Sequence, residues 1–125
     1  MSNNYILNLS EVKLSDLELV GGKNASLGEM IQNLSQLGVH IPSGFALTVD
    51  AYQKFISFNK LDKTIRSLVK GIKIDDLVSL RKTGLEIREL IRNGKWPEDL
   101  KIEIQKRYIQ LSQQYGSDIT DVAVR

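Results

Sequence analysis

A chain of 125 residues has the size of one modest domain, and at that length it can bury enough apolar surface to fold alone if its pattern is complete. Its 42% hydrophobic and 26% charged residues exclude a disordered chain, and 17 Lys and Arg against 15 Asp and Glu leave a net charge of +2, which gives no strong pull toward nucleic acid or an anionic membrane. There is no cysteine for a disulfide or thiolate metal site, the start MSNNYILNL lacks a basic region followed by a long apolar one, and no run approaches the ~20 apolar residues of a membrane span, so the expectation is a soluble cytoplasmic protein.

In chain order, Tyr5 to Leu9 alternates weakly and predicts a short edge strand, followed by a polar connector from Ser10 to Val20. Leu27, Met30, Ile31, Leu34 and Leu37 recur at three- and four-residue steps and predict a helix over 24–37, stopped at Gly38. His40-Ile41-Pro42-Ser43-Gly44 is turn chemistry, and Phe45 to Val49 suits a short buried strand. Thr48 or Asp50 can cap the next helix, whose Ala51, Tyr52, Phe55, Ile56 and Phe58 are expected to face the core. A short helix follows over 61–69. Asp75 and Asp76 then open a long helix with Leu77, Leu80, Gly84, Ile87 and Ile91 on one stripe, ending near Asn93-Gly94. After Trp96-Pro97, Leu100, Ile104, Tyr108, Leu111 and Tyr115 keep the helical period until Gly116, and the two long helices are expected to form a hairpin with Trp96 at their junction. The β-branched run Ile119 to Val124 reads as a strand. The fold class is therefore α+β and helix-rich, with a few short strands.

The stretch Val20 to Met30, VGGKNASLGEM, carries the clearest chemistry. Glycines let the backbone approach a bound group, a helix N-terminus offers unpaired N–H donors and partial positive charge, and lysine adds a mobile cation, so the combination suits a phosphate. A Gly-Gly pair before a helix also serves as a plain turn, an exposed lysine is commonly just solvated, and the stretch is not a Walker A loop. On residues alone both readings stand.

VGGKNASLGEM, then GVHIPSGFALTVDAYQKF from Gly38 to Phe55 and DVAVR from Asp121 to Arg125, resemble in order and spacing the opening of the phosphoenolpyruvate synthase family, the pyruvate, water dikinases. The wider group includes pyruvate, phosphate dikinases and rifampin phosphotransferases. The resemblance implies the N-terminal portion of an ATP-grasp-type domain that binds ATP with Mg2+ and passes phosphate to a histidine on a separate domain, from which pyruvate is phosphorylated to phosphoenolpyruvate. It implies that Lys23 and Arg125 contact the nucleotide phosphates, with the Gly22 amide beside them. It further implies that residues 1–125 are an incomplete ATP-binding domain, with the phosphohistidine and pyruvate-binding domains absent, and that the chain alone lacks dikinase activity and binds ATP weakly or not at all. Self-association through exposed core and strand edges is also expected.

Other residues have plainer readings. His40, the one histidine, is a turn residue, and the phosphorylated histidine of the resembled family belongs to a later domain. Glu29, Asp75-Asp76, Glu98-Asp99 and Asp118 with Asp121 are explained by helix-surface, helix-start or turn preferences, and no catalytic residue or metal ligand is assigned. A helical interaction module without catalysis is the alternative function, a related dikinase or rifampin phosphotransferase the alternative within the family, and nucleic-acid binding is disfavoured by the small net charge.

Overall fold

A computed structural model describes residues 4–125. They form two compact units: the chain up to Ala51 together with Glu98–Arg125, and the segment Tyr52–Pro97.

In the first unit, β1 (Ile6–Asn8) pairs antiparallel with β2 (Phe45–Leu47), Leu7 opposite Ala46. The ladder is extended at both ends by the Leu9 amide donating to the Gly44 carbonyl at 2.9 Å and the Thr48 amide donating to the Tyr5 carbonyl at 3.0 Å. Between these strands the chain runs through 3-10 turns at Leu9–Glu11 and Leu14–Asp16, a short helix α1 (Leu17–Val20) and the long helix α2 (Gly22–Leu34). The expected polar connector thus carries structure of its own. Its turn is fixed where the Lys13 amide donates to Asp16 Oδ2 at 2.9 Å, and Val12 in its middle is fully buried.

Val12, Leu9, Val20, Ala25 and Ala46 form the buried cluster, with Leu7, Leu19, Leu27 and Ile31 packed against it. The clearest close approach is between α2 and Val12. Gly28 is buried so tightly that a side chain there would collide with the Val12 carbonyl, and Gln32 one turn on donates its amide to that same carbonyl oxygen at 2.7 Å. Glycine supplies the proximity and glutamine satisfies a backbone acceptor that burial would otherwise leave unpaired. A 3-10 turn at Ser35–Leu37 ends the helix at Gly38, whose φ of 83° is the left-handed stop that the sequence predicts.

Helix α3 (Val49–Phe58) is capped by Thr48, whose Oγ1 accepts from the Ala51 amide at 3.4 Å and donates to the Asn4 carbonyl at 2.9 Å. Ala51, Phe55 and Ile56 are buried as expected, but Tyr52 and Phe58 are 54% and 56% exposed. Around the helix position 52 falls between 55 and 56 and position 58 falls beside 51, so the helical period alone does not separate the two exposed rings from the buried residues.

The second unit holds the rest of α3, then α4 (Asp62–Lys70) and α5 (Leu77–Arg92). Asp76 caps α5, its Oδ1 accepting from the amides of Val78 at 3.0 Å and Ser79 at 3.1 Å. Leu77 and Leu80, placed on the buried stripe by their period, are exposed. The chain leaving α5 is fastened to α3 by Asn59, which donates to the carbonyls of Phe55 and Lys95, both at 2.9 Å, and accepts from the Lys95 amide at 2.7 Å. Trp96 lies tilted against Phe55 with ring centroids 5.1 Å apart, its outer part exposed.

Helix α6 (Glu98–Gln114) belongs to the first unit. Arg107 reaches from it to Asn8 Oδ1 at 3.0 Å and to Glu103 at 3.2 Å, while Tyr115 Oη accepts from the Ser43 amide at 2.7 Å, fixing the turn before β2. The strand expected over 119–124 does not form. After Gly116, with φ of 67°, the chain folds back on α6: Tyr108 Oη donates to the Thr120 carbonyl at 2.7 Å and the Thr120 amide donates to Oγ of the buried Ser112 at 3.2 Å. Side chains of α6 thus hold both backbone groups of Thr120, and among the described residues no strand pairs with 119–124.

Candidate functional site

Gly22 and Lys23 stand together at the start of α2. Gly21 separates α1 from α2 with φ of 81° and ψ of 162°, a backbone that glycine adopts without strain and other residues do not. Its amide closes α1 on the Leu17 carbonyl at 2.9 Å and its carbonyl accepts the first bond of α2 from the Ala25 amide at 3.0 Å. The amides of Gly22, Lys23 and Asn24 are left without intrahelical acceptors. Asn24 turns its side chain back onto the Val20 carbonyl at 2.9 Å, which holds the α1–α2 corner.

This helix start departs from stability preferences. Its first turn contains no acidic residue and no side-chain cap, and its one charged residue is Lys23, a cation placed at the positive end of the helix dipole and exposed. Such a position costs the helix about 0.3–1 kcal/mol and suits an arriving anion. Local choices that oppose stability concentrate at functional positions.

Arg125 is exposed at the end of the segment that follows Thr120, and among the described residues it makes no hydrogen bond or ion pair with α2. Gly22 and Lys23 are therefore neighbours by helix geometry, and Arg125 is joined to them by no contact. Of the other polar residues considered in the sequence, some have local partners. Glu29 accepts from Asn33 at 3.0 Å, Asp99 accepts from the Leu100 amide at 2.9 Å, and His40 is exposed. Among the described residues no group of three or more His, Asp or Glu side chains gathers where it could hold a metal ion, and no helix is long and apolar enough to cross a membrane. Among the described residues an open groove lies in the second unit over Leu61, Leu68 and Leu90, with Glu86 and Glu89 along it and no Lys or Arg in its lining.

Two contributors at this corner escape a sequence reading. Asn24 gives a weak signal as a residue of the first helical turn, and the Gln32 bond to Val12 gives none, because twenty residues separate the partners.

A Gly-Gly-Lys helix start can serve as an anion site or as a plain turn. The family model described as "Pyruvate phosphate dikinase, AMP/ATP-binding domain" matches residues 17–125. The chain belongs to this family. Within the pyruvate phosphate dikinase AMP/ATP-binding family, it is similar to the phosphoenolpyruvate synthase of Aquifex aeolicus, 48% identical over 124 residues that cover 99% of this chain and 14% of the relative. It is also similar to the phosphoenolpyruvate synthase of Neisseria meningitidis, 38% identical over 125 residues covering 100% and 16%, and to that of Escherichia coli, 41% identical over 116 residues covering 90% and 15%. The chain spans about one seventh of the length of these relatives. The match begins at residue 17, so it includes the whole α1–α2 corner and the segment through Arg125.

Proposed function

We propose that this chain is the N-terminal portion of an ATP-grasp-type nucleotide domain of a phosphoenolpyruvate synthase, and that Gly22, Lys23 and Arg125 hold the phosphates of ATP. Membership of the AMP/ATP-binding family supports the nucleotide, and the relatives support the synthase over a related dikinase or a rifampin phosphotransferase. The single observation that carries the site is the start of α2, where open amides and an uncompensated lysine meet behind a glycine with positive φ.

In this reading the Gly22 amide donates to a phosphate oxygen, the Lys23 ammonium neutralises phosphate charge, and the Arg125 guanidinium offers paired donors to the same group. Magnesium travels with ATP as a partner of its phosphates. In the parent enzyme the phosphoryl group passes from ATP to a histidine of another domain and from there to pyruvate, with water as the second acceptor. The chain then supplies binding and orientation, not the transfer itself.

The test is a titration of the purified chain with MgATP beside its Lys23→Ala variant. The expected result is a weak, magnesium-dependent response, with a dissociation constant on the order of millimolar, that disappears in the variant. No phosphoenolpyruvate should form from ATP and pyruvate. Equal responses from both proteins would sink the role of Lys23, and silence from both would favour a helical interaction module.

A further inference from the structure

The break between α1 and α2 decides how many donors the start of α2 presents. In an unbroken helix the amides of Gly22, Lys23 and Asn24 would bond the carbonyls of Glu18, Leu19 and Val20, each four residues back. Gly21 prevents this with φ of 81° and ψ of 162°. The last bond of α1 runs from the Gly21 amide to Leu17, the first of α2 from the Ala25 amide to Gly21, and three successive amides between them are left over.

The break has one weak point. Val20 is only 8% exposed, and its carbonyl, cut off from the next turn, needs a donor. The partner that helical geometry assigns to it is the Asn24 amide. In place of that amide the Asn24 side chain reaches back, donating from Nδ2 at 2.9 Å in a half-buried bond. One residue thus satisfies the acceptor with its side chain and keeps its own backbone donor out of the bond. The bond also spans Gly21, Gly22 and Lys23, and so holds the corner in the conformation that only Gly21 permits.

Gly22 gives a separate indication that something approaches this corner. Its φ is not positive, and a side chain there would meet only Leu17 Cδ1, at an ordinary 3.6 Å. Glycine also weakens a helix relative to alanine. Neither backbone conformation nor packing asks for it, whereas a bare amide face suits a group arriving from outside the chain.

We infer that Asn24 is a positioning residue of the proposed phosphate site: by taking the Val20 carbonyl with its side chain, it keeps the amides of Gly22, Lys23 and Asn24 free for phosphate oxygens. The side chain itself touches no phosphate. This role rests on the nucleotide reading of the α2 start and extends it from the groups that bind to the one that keeps them available.

The experiment compares the purified chain with Asn24→Ala and Asn24→Gln by amide hydrogen exchange without ligand and by MgATP titration, both read in assigned nuclear magnetic resonance spectra. In the free wild-type chain the amides at 22, 23 and 24 should exchange with little protection. In Asn24→Ala the open Val20 carbonyl should draw in the amide at 24, so protection rises at that position and the dissociation constant for MgATP rises about fivefold or more. Asn24→Gln keeps an amide donor on a stem one methylene longer and should stand closer to wild type in both measures. A purely structural bond would give the opposite sign, with protection falling along the whole of α2 in Asn24→Ala, and that result would overturn the inference. So would a protected Asn24 amide in the free wild-type chain, or a wild-type response to MgATP that Asn24→Ala leaves unaltered. A wild-type chain with no response to MgATP would overturn the nucleotide reading itself, and this inference with it.

Discussion

Gly28 shows how much one absent side chain can decide. Added atoms at that position meet the Val12 backbone, which cannot swing aside as a flexible side chain would, so Gly28→Ala is expected to destabilise the chain by about 1–3 kcal/mol in urea unfolding. Gly84 is the internal control. It also lies in a helix, its nearest obstacle is the mobile Arg88 Nη1 at 3.6 Å, and Gly84→Ala should stabilise by roughly 0.5–1 kcal/mol through helix propensity and a less flexible unfolded chain. If both substitutions moved stability the same way, the close approach of α2 to Val12 would not be the limiting contact. Sequence alone marks both glycines as breaks in good helices and cannot rank them, because what separates them is a neighbour sixteen residues away in the chain.

At the scale of elements, local signals were legible wherever a single turn of chain carries the physics. Gly38 stops its helix, and Asp76 caps α5. Asp76→Ala should therefore cost about 1 kcal/mol, read as loss of helical signal on mild heating, and an unchanged transition would mean that the cap is replaced by another group. The segment 119–124 shows why the rest was hidden. Its β-branched residues favour an extended backbone, but a strand also needs a ladder partner, and among the described residues none pairs with it, while Ser112 and Tyr108 hold the Thr120 backbone groups. Residues 112 and 120 give no hint of that bond in their identities. Asn59 is a similar long-range device: its three bonds tie the exit of α5 to the end of α3, and Asn59→Ala is expected to raise the hydrogen-exchange rate of the Lys95 amide and to destabilise by about 1–3 kcal/mol. Exchange at Lys95 unaffected by the substitution would show that the loop holds its place without the clamp.

For the whole molecule, composition correctly indicated a folding chain but not its division into two units. The candidate phosphate site was more legible than the fold around it, because Gly21, Gly22 and Lys23 are contiguous and the helix behind them is periodic; the corner that presents them depends on Asn24 and on the burial of Val20. In the proposed site Arg125 joins Gly22 and Lys23 only through the nucleotide, and that proposal is open to direct measurement. In an assigned nuclear magnetic resonance spectrum, ATP carrying paramagnetic Mn2+ should broaden the amides of Gly22, Lys23 and Asn24 together with that of Arg125, while Leu61 and Leu90 keep their intensities. Broadening at the start of α2 that leaves Arg125 untouched, or broadening at Arg125 alone, would contradict a single phosphate site built from both.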